Sequence, residues 1–328
     1  MVSCLHTFSN QSMHNLQTSA LRYEGALTCA TAPGFCRAIQ AALSDHPACL
    51  LLNLEEVKHA DAVGLAALWQ AVRYARGRDI ECRILPSAVV YRALLRAELL
   101  DELPLEGPGR GSPLLEVTET ALDDTAAAPV ATGRRLVLRP PAWDELRLFA
   151  QWANEPLLDQ MVGSPLLYHG RHTDPYHPEF VSRVLYDPTA ITLLIQATQG
   201  GSAPIGFVRI HGIHLVERFA FVETALGETT SLRRGWGVEA TRLALAYAMD
   251  TLDLHRVEAK VYAYNLLSIN ALRRNGFHLD GTLREARSYD GRRWDVLVYS
   301  ILESEMRAQR VRDHFAPMGL WQASDASA

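Results

Sequence analysis

The chain has 328 residues, 48% of them hydrophobic and 21% charged, with a formal net charge of -5. That length and composition belong to a folded chain of two domains rather than to a disordered one. The acidic balance argues against broad binding to nucleic acid or to anionic membranes, both of which need a clustered basic surface. The five cysteines, Cys4, Cys29, Cys36, Cys49 and Cys82, are odd in number and show no C-x-x-C spacing, which fits a reducing compartment. The opening "MVSCLHTFSNQSMHNLQ" lacks the basic start and apolar run of a signal peptide, and no run reaches the length of a membrane span, so a cytoplasmic location is expected.

In chain order, Leu50 to Leu54 reads as a buried strand, an amphipathic helix starts at Gly64, a second strand covers Glu81 to Leu85, and another helix follows. Such alternation implies a sheet covered by helices. Cys29 and Cys36 could form a redox pair, but a cysteine on an apolar face is more simply a small buried side chain. The stretch "NLEEVKHADAVGLAALWQAVRYARGRDIECRIL" resembles the STAS domain of the anti-sigma-factor antagonist type, over roughly residues 15–106. In that family a turn of Asp, two hydroxyl residues, Gly and Leu leads into a helix, and a partner kinase phosphorylates a hydroxyl there. Asp61, Gly64 and Leu65 match, whereas Ala62 and Val63 stand at the hydroxyl positions and accept no phosphate. Two readings of Asp61 and Gly64 stay open: a docking surface, and a tight strand-to-helix turn in which Gly64 relieves backbone strain. The resemblance implies that this domain recruits a protein partner or packs a homodimer.

Between Glu106 and Gly133 glycine, proline, alanine and threonine replace the apolar periodicity, which reads as a linker with a short strand at Leu114 to Val117. The expected division is a first domain over residues 1–106, a linker over 107–133, a second domain over 134–310 and a tail over 311–328.

The second domain opens with "RRLVLRPPAWDEL", a strand stopped by Pro140 and Pro141 and then a helix with Asp144 and Glu145 in its first turn. The segment "YHGRHTDPYHPEF" holds His169, His172 and His177 near Asp174 and Glu179. Its spacing matches no standard metal site, and Gly170, Pro175 and Pro178 predict a loop, so no metal is expected. A hairpin turning at Gly200 and Gly201 comes next, then a strand "RFAFVETALG", a helix after "RRGWGVEA", a strand "RVEAKVYAY", a helix "LLSINALRRNGF" and a last strand near "WDVLVYSILE". These form a mixed sheet flanked by helices. The glycines of "RRGWGVEA" let successive N–H groups point outward at the positive end of the helix dipole, a socket for phosphate with Arg233 and Arg234 at its rim. A glycine that serves the turn alone is the other reading. Trp236 either covers a cofactor or joins the core, and Glu239 with Arg242 reads as a helix-surface pair.

Together "RRGWGVEATRLALAYAMDTLDLHRVEAKVYAYN" and "NLLSINALRRNGFHLDGTLRE" resemble the GNAT acyltransferases of the RimJ/RimL-like group, over roughly residues 134–306. The implied fold is α/β, a small STAS-like sheet with helices followed by a GNAT mixed sheet flanked by helices. The implied activity is direct transfer of an acyl group from acetyl-CoA, or another acyl-CoA, to the amine of a protein N-terminus, a small amine or an amino sugar. The resemblance assigns the pyrophosphate to the backbone between Arg233 and Val238, through Arg233, Arg234, Gly235, Trp236, Gly237 and Val238. It puts the pantetheine arm between two splayed strands ending near Leu226 and Tyr264, with Asn265 at the turn. Two departures accompany it: Thr230 and Arg233 replace the first Gln or Arg and the first glycine of the phosphate motif, and Leu272 stands where many members carry a tyrosine acid. Ser268 is then the acid candidate, with a helix-capping hydroxyl as its other reading, and Glu223 is the base candidate, with a solvated glutamate or a water relay as the alternative. His169, His172 and His177, and also His211 and His214, are candidates for substrate contacts. A non-catalytic regulatory or scaffold protein that binds acyl-CoA is the competing reading.

Overall fold

The computed structural model describes residues 2–5, 18–106, 128–198, 203–227 and 235–313. The strand expected at Leu114 to Val117, the turn at Gly200 and Gly201, and Thr230, Arg233 and Arg234 lie outside the described residues. The chain folds as two units. The first holds the described residues up to 106 together with Tyr186–Thr189, and the second holds those of 128–185 and 190–313.

In the first unit, β1 (Val2–Leu5), β2 (Thr18–Leu27), β3 (Cys49–Ala60) and β4 (Glu81–Pro86) form a sheet in that order. The last three strands run parallel, and β1 is an antiparallel edge. The connections α1 (Ala32–Leu43) and α2 (Ala62–Arg76) are the crossovers that parallel strands require, and α3 (Ala88–Arg96) follows β4. Alternate leucines of β3, Leu50, Leu52 and Leu54, are fully buried, as are Ala62, Val63, Leu65, Ala66, Ala67 and Leu68 in the first turns of α2. Ala62 and Val63 therefore stand inside the core. Ala62 N–H donates to Asp187 O at 3.3 Å, and Tyr186 stacks on His59 with ring centroids 4.7 Å apart.

Asp61 caps α2. One carboxylate oxygen accepts from Gly64 N at 2.9 Å and the other from Cys29 N at 2.8 Å. Burial pushes its pKa up to about 6, against the backbone N–H donors that pull it down. Gly64 does not relieve strain through an unusual φ. A Cβ there would collide with Leu27 O, so the glycine is needed for the close approach of helix and strand. Cys29 and Cys36 form no disulfide, and burial pushes the Cys36 thiol up to about 12, so neither is poised for redox chemistry.

Among the described residues the second unit carries an eight-stranded sheet. Its strands are β5 (Ala131–Thr132), β6 (Leu136–Arg139), β7 (Ala190–Ala197), β8 (Gly206–His214), β9 (Phe219–Leu226), β10 (Arg256–Tyr262), β11 (His278–Tyr289) and β12 (Arg292–Leu302), in the order β11-β12-β10-β9-β8-β7-β6-β5. Of these described strands only β9 and β10 pair in parallel, with α8 (Trp236–Thr251) as the crossover between them. α8 buries nearly every residue from Ala240 to Met249. On the chain before β7 come α4 (Leu146–Ala153), α5 (Pro156–Met161), α6 (Pro165–His172) and α7 (Pro178–Leu185), held by an aromatic cluster of Phe149, Trp152, Phe180 and Phe207. The segment expected as a histidine-bearing loop is instead the end of α6 and the start of α7. Pro165 and Pro178 occupy first-turn positions, where a missing N–H costs nothing. α9 (Leu266–Arg274) leads into β11, and α10 (Glu303–Asp313) ends the described chain.

Candidate functional site

β9 and β10 pair only at Phe219–Arg256, Ala220–Val257 and Phe221–Glu258, and then separate. The opening leads into a cavity of about 890 Å³ lined by β9, β10, the first turn of α8, α9 and the end of α5. A wedge between two parallel strands leaves backbone N–H and C=O groups unpaired by the neighbouring strand, able to hydrogen-bond an extended ligand laid between them.

At one end of the cavity Gly235 caps α8 with φ 78°, in the left-handed region that favours glycine. Gly235, Trp236, Gly237 and Val238 all line the cavity, as does Leu226. Among the described residues a Cβ at Gly235 would meet only Arg135 Nη2, at 3.5 Å, so a guanidinium borders this helix start. Glu239 holds that guanidinium in place. Its two oxygens accept from Arg135 N and Arg135 Nε, each at 2.7 Å. The pair expected between Glu239 and Arg242 is thus replaced by one that spans 104 residues, and Arg242 turns instead to Asn275 Oδ1 and Arg274 O at the end of α9. Arg135 carries no signal in the sequence, because nothing local links it to α8.

Asn265 and Ser268 stand together at the start of α9. Asn265 is the N-cap, its Oδ1 accepting from Ser268 N at 3.0 Å, so the capping role falls to Asn265 and not to the serine hydroxyl. Asn265 Nδ2 donates to Ser268 Oγ at 2.8 Å and to Met161 O at 2.9 Å. Ser268 Oγ therefore accepts from Asn265, and its own proton is available to a group in the cavity that both residues line. Tyr264 Oη donates to Gln160 O at 2.7 Å, a second tie between this turn and the end of α5. Leu272 also lines the cavity.

Glu223 faces the cavity from β9, opposite Arg209 of β8. Its Oε1 is buried without a hydrogen-bond partner among the described residues. Burial raises its pKa above the ordinary carboxylate value, while the Ser164 hydroxyl and the Arg209 charge pull it down. A carboxylate so placed is suited to take a proton from a group brought into the cavity. Gly163, with φ 61°, packs so closely on Tyr262 that a Cβ there would collide with the phenol hydroxyl.

Among the described histidines only His211 lines the cavity, stacked on Phe221 with centroids 5.6 Å apart, while His214 stacks on Phe219. His169, His172 and His177 do not line it, and the described residues contain no group of three or more side chains suited to hold a metal. No helix among the described residues is long and apolar enough to cross a membrane.

Residues 12–107 match the STAS domain family, and residues 135–278 match the family of the acetyltransferase (GNAT) domain. The chain thus joins an N-terminal STAS domain to a C-terminal GNAT acetyltransferase domain. It is similar in sequence to the uncharacterized N-acetyltransferase p20 of Bacillus licheniformis, 36% identical over 72 residues, and to the probable N-acetyltransferase YjcK of Bacillus subtilis, 39% identical over 72 residues. Each alignment covers 22% of this chain and 40% of the relative, so the chain spans about two fifths of the length of these curated relatives. Among solved structures it is similar to a spermidine N-acetyltransferase from Vibrio cholerae in complex with CoA and spermine, at 21% identity and a TM-score of 0.45, over 52% of this chain and 98% of that one. RimL, a ribosomal-protein alpha-N-acetyltransferase in complex with coenzyme A, shares 19% identity with a TM-score of 0.45, over 53% of this chain and 98% of the other.

Proposed function

We propose that the protein is an N-acyltransferase that moves an acyl group, acetyl in the first instance, directly from acyl-CoA to a primary amine. The single observation that carries this reading is the convergence of the left-handed Gly235 turn, Ser268 and Glu223 on the cavity that opens where β9 and β10 separate. The residues present fit the cosubstrate. Gly235 to Val238 form a helix start on the cavity wall, where an anionic phosphate would be favoured, and the Arg135 guanidinium lies beside Gly235. Arg233 and Arg234 remain proposed rim cations. Leu226, Trp236 and the facing edge of β10 all line the cavity and would hold the pantetheine arm. When bound, acyl-CoA supplies an activated thioester carbonyl and a thiolate leaving group.

Glu223 accepts the proton of the incoming ammonium, directly or through water, so that the nitrogen attacks as a neutral amine. Ser268 gives its proton toward the sulfur as the C–S bond breaks, and the proton that the attacking nitrogen sheds on becoming the amide returns to Ser268 through water, so that one proton leaves overall on Glu223. Asn265 positions the serine, and the dipole of α9 favours negative charge at that first turn. Leu272 leaves the usual tyrosine position without a proton, which makes Ser268 the acid that this chain can use. The STAS domain, with Ala62 and Val63 buried at the hydroxyl positions, serves as a constitutive binding module for a protein partner or a second copy rather than as a phosphorylation switch. Thiol release from acetyl-CoA in the presence of a panel of amines tests the enzyme reading. Turnover that falls about a hundredfold in both Ser268→Ala and Glu223→Gln supports it. Binding of acetyl-CoA without amine-dependent turnover would favour the regulatory alternative.

A further inference from the structure

The acceptor end of the same cavity has an uneven charge. Glu223 is its buried carboxylate, with Oε1 unpartnered among the described residues. Two residues earlier on the same face of β9, about 7 Å away along the strand, stands Phe221. Lys260 of β10 holds its ammonium 5.2 Å from the centroid of that ring, and His211 of β8 stacks on it. Lys260, His211 and Phe221 all line the cavity. Among the described residues the Lys260 ammonium has no carboxylate partner. Glu258, two residues away on the same strand, is taken by Arg256 Nε at 2.9 Å, and the same guanidinium also binds Asp280 at 2.6 Å. The Arg287 guanidinium lies 4.6 Å from the centroid of Tyr262, another lining residue. A site for a polyamine would need carboxylates spaced along the groove to meet successive ammonium groups. Here, among the described lining residues, Glu223 is the one carboxylate and Lys260 and Arg274 are cationic.

We infer that the acceptor is an amine that carries an anionic group several bonds from its nitrogen, the amine meeting Glu223 and the anion meeting Lys260 beside Phe221. The inference rests on the proposed function and names the substrate class of that same site. The strand spacing sets the reach. An α-amino acid alone brings its carboxylate too close to its nitrogen, whereas the side-chain carboxylate of the second residue of a peptide spans the separation. The chemistry is therefore that of a free N-terminus followed by an acidic residue, and Lys260 is its specificity determinant.

The test compares four acceptors at one acetyl-CoA concentration: the peptides Ser-Asp-Glu-Ala and Ser-Ala-Ala-Ala, free aspartate, and spermidine. Acetyl-CoA binding to the same preparation is measured by calorimetry. The expected result is a kcat/KM for the acidic peptide roughly five- to tenfold above the neutral one, with spermidine below both. In Lys260→Glu that ratio should invert, and in Lys260→Gln it should fall to about one. Raising the salt concentration should compress the wild-type preference, since Lys260 is exposed. Aspartate preferred to the acidic peptide would overturn the assignment of reach. Spermidine or the neutral peptide preferred, no turnover of the acidic peptide by protein that binds acetyl-CoA, or an unchanged ratio in Lys260→Glu would overturn the inference and leave the proposed function standing. Absence of acetyl-CoA binding would instead overturn the proposed function.

Discussion

Glu223 is a buried carboxylate whose pKa is raised by desolvation, and the sign of its effect on rate follows from that. A base must be ionised to accept a proton, so kcat/KM should be low where Glu223 is protonated and rise as pH passes through its raised pKa. The acid limb of the profile then lies above the ordinary carboxylate range, and Glu223→Gln should remove that limb as well as lower the plateau. A limb unchanged in Glu223→Gln would exclude this residue as the base. For stability the sign is the opposite. A carboxyl with a raised folded-state pKa contributes stability that is present below its unfolded value and lost as pH rises through the folded one. Asn265 makes a different kind of prediction. Asn265→Ala removes the cap of α9 at a cost of about 1 kcal/mol, and it also releases Ser268 Oγ, so kcat should fall about tenfold in protein that still melts cooperatively. Asn265→Asp retains the cap but loses the donor to Ser268, and equal kcat in Asp and wild type would show that the bond to Oγ does not matter. Ser268 and Asn265 are legible in the sequence because the N-x-x-S spacing puts one at the cap and the other one turn on. Glu223 is legible as a candidate, but not its direction, since strand register is decided by pairing with β8 and β10 and not by the strand's own residues.

At the scale of elements, long apolar runs are legible and polar ones are not. β3, α2, β10 and α8 carry their core contacts as clear periodicity. β11 escapes a reading of the sequence because it lies on the outer edge of the sheet and is mostly exposed, Leu279 and Leu283 included, so no hydrophobic alternation marks it. The end of α6 and the start of α7 escape it for a related reason: Gly170 and Pro178, which signal a loop, lie inside α6 and at the first position of α7. Arg135, on the chain just before β6, and Glu239 of α8 are linked only by the folded sheet, and no local pattern announces such a pair. Glu239→Ala should leave Arg135 N and Nε without their acceptor. Because Arg135 is about half exposed, the expected cost to stability is only about 1 kcal/mol, but the affinity for acetyl-CoA should fall with the misplaced guanidinium, as a binding titration of that variant would show. In the first unit, Gly64→Ala forces a methyl group into Leu27 O at the crossing of β2 and α2 and should destabilise that unit by about 3 kcal/mol. A denaturant melt with no shift of midpoint would mean that helix and strand can separate at little cost.

For the molecule as a whole, the two units carry different kinds of information. The GNAT domain brings a helix start, a strand wedge and the two side chains proposed for proton transfer, Glu223 and Ser268, to one cavity, all from within residues 219–268. The STAS domain retains the Asp61 cap and the close-packed Gly64 while its two hydroxyl positions are apolar and buried, so incubation with a kinase and ATP should leave the turn unmodified. Motif order is enough to point to a STAS domain followed by a GNAT domain, the two families that residues 12–107 and 135–278 match. The placement of Glu223, Phe221 and Lys260 on one cavity requires the fold. Everything proposed for the catalytic domain depends on acyl-CoA entering the cavity at Gly235. Calorimetric titration of acetyl-CoA into the full chain, beside Gly235→Glu, therefore bears on it most directly. Gly235 sits at φ 78°, where a side chain costs about 1 kcal/mol, and among the described residues a Cβ there meets only Arg135 Nη2 at 3.5 Å, so the variant, once its cooperative melt is verified, places a carboxylate beside Arg135, where a phosphate would bind. Saturable binding by the wild-type chain that is abolished in folded Gly235→Glu is the expected outcome. No binding by the wild-type chain, or equal binding by both, would contradict it.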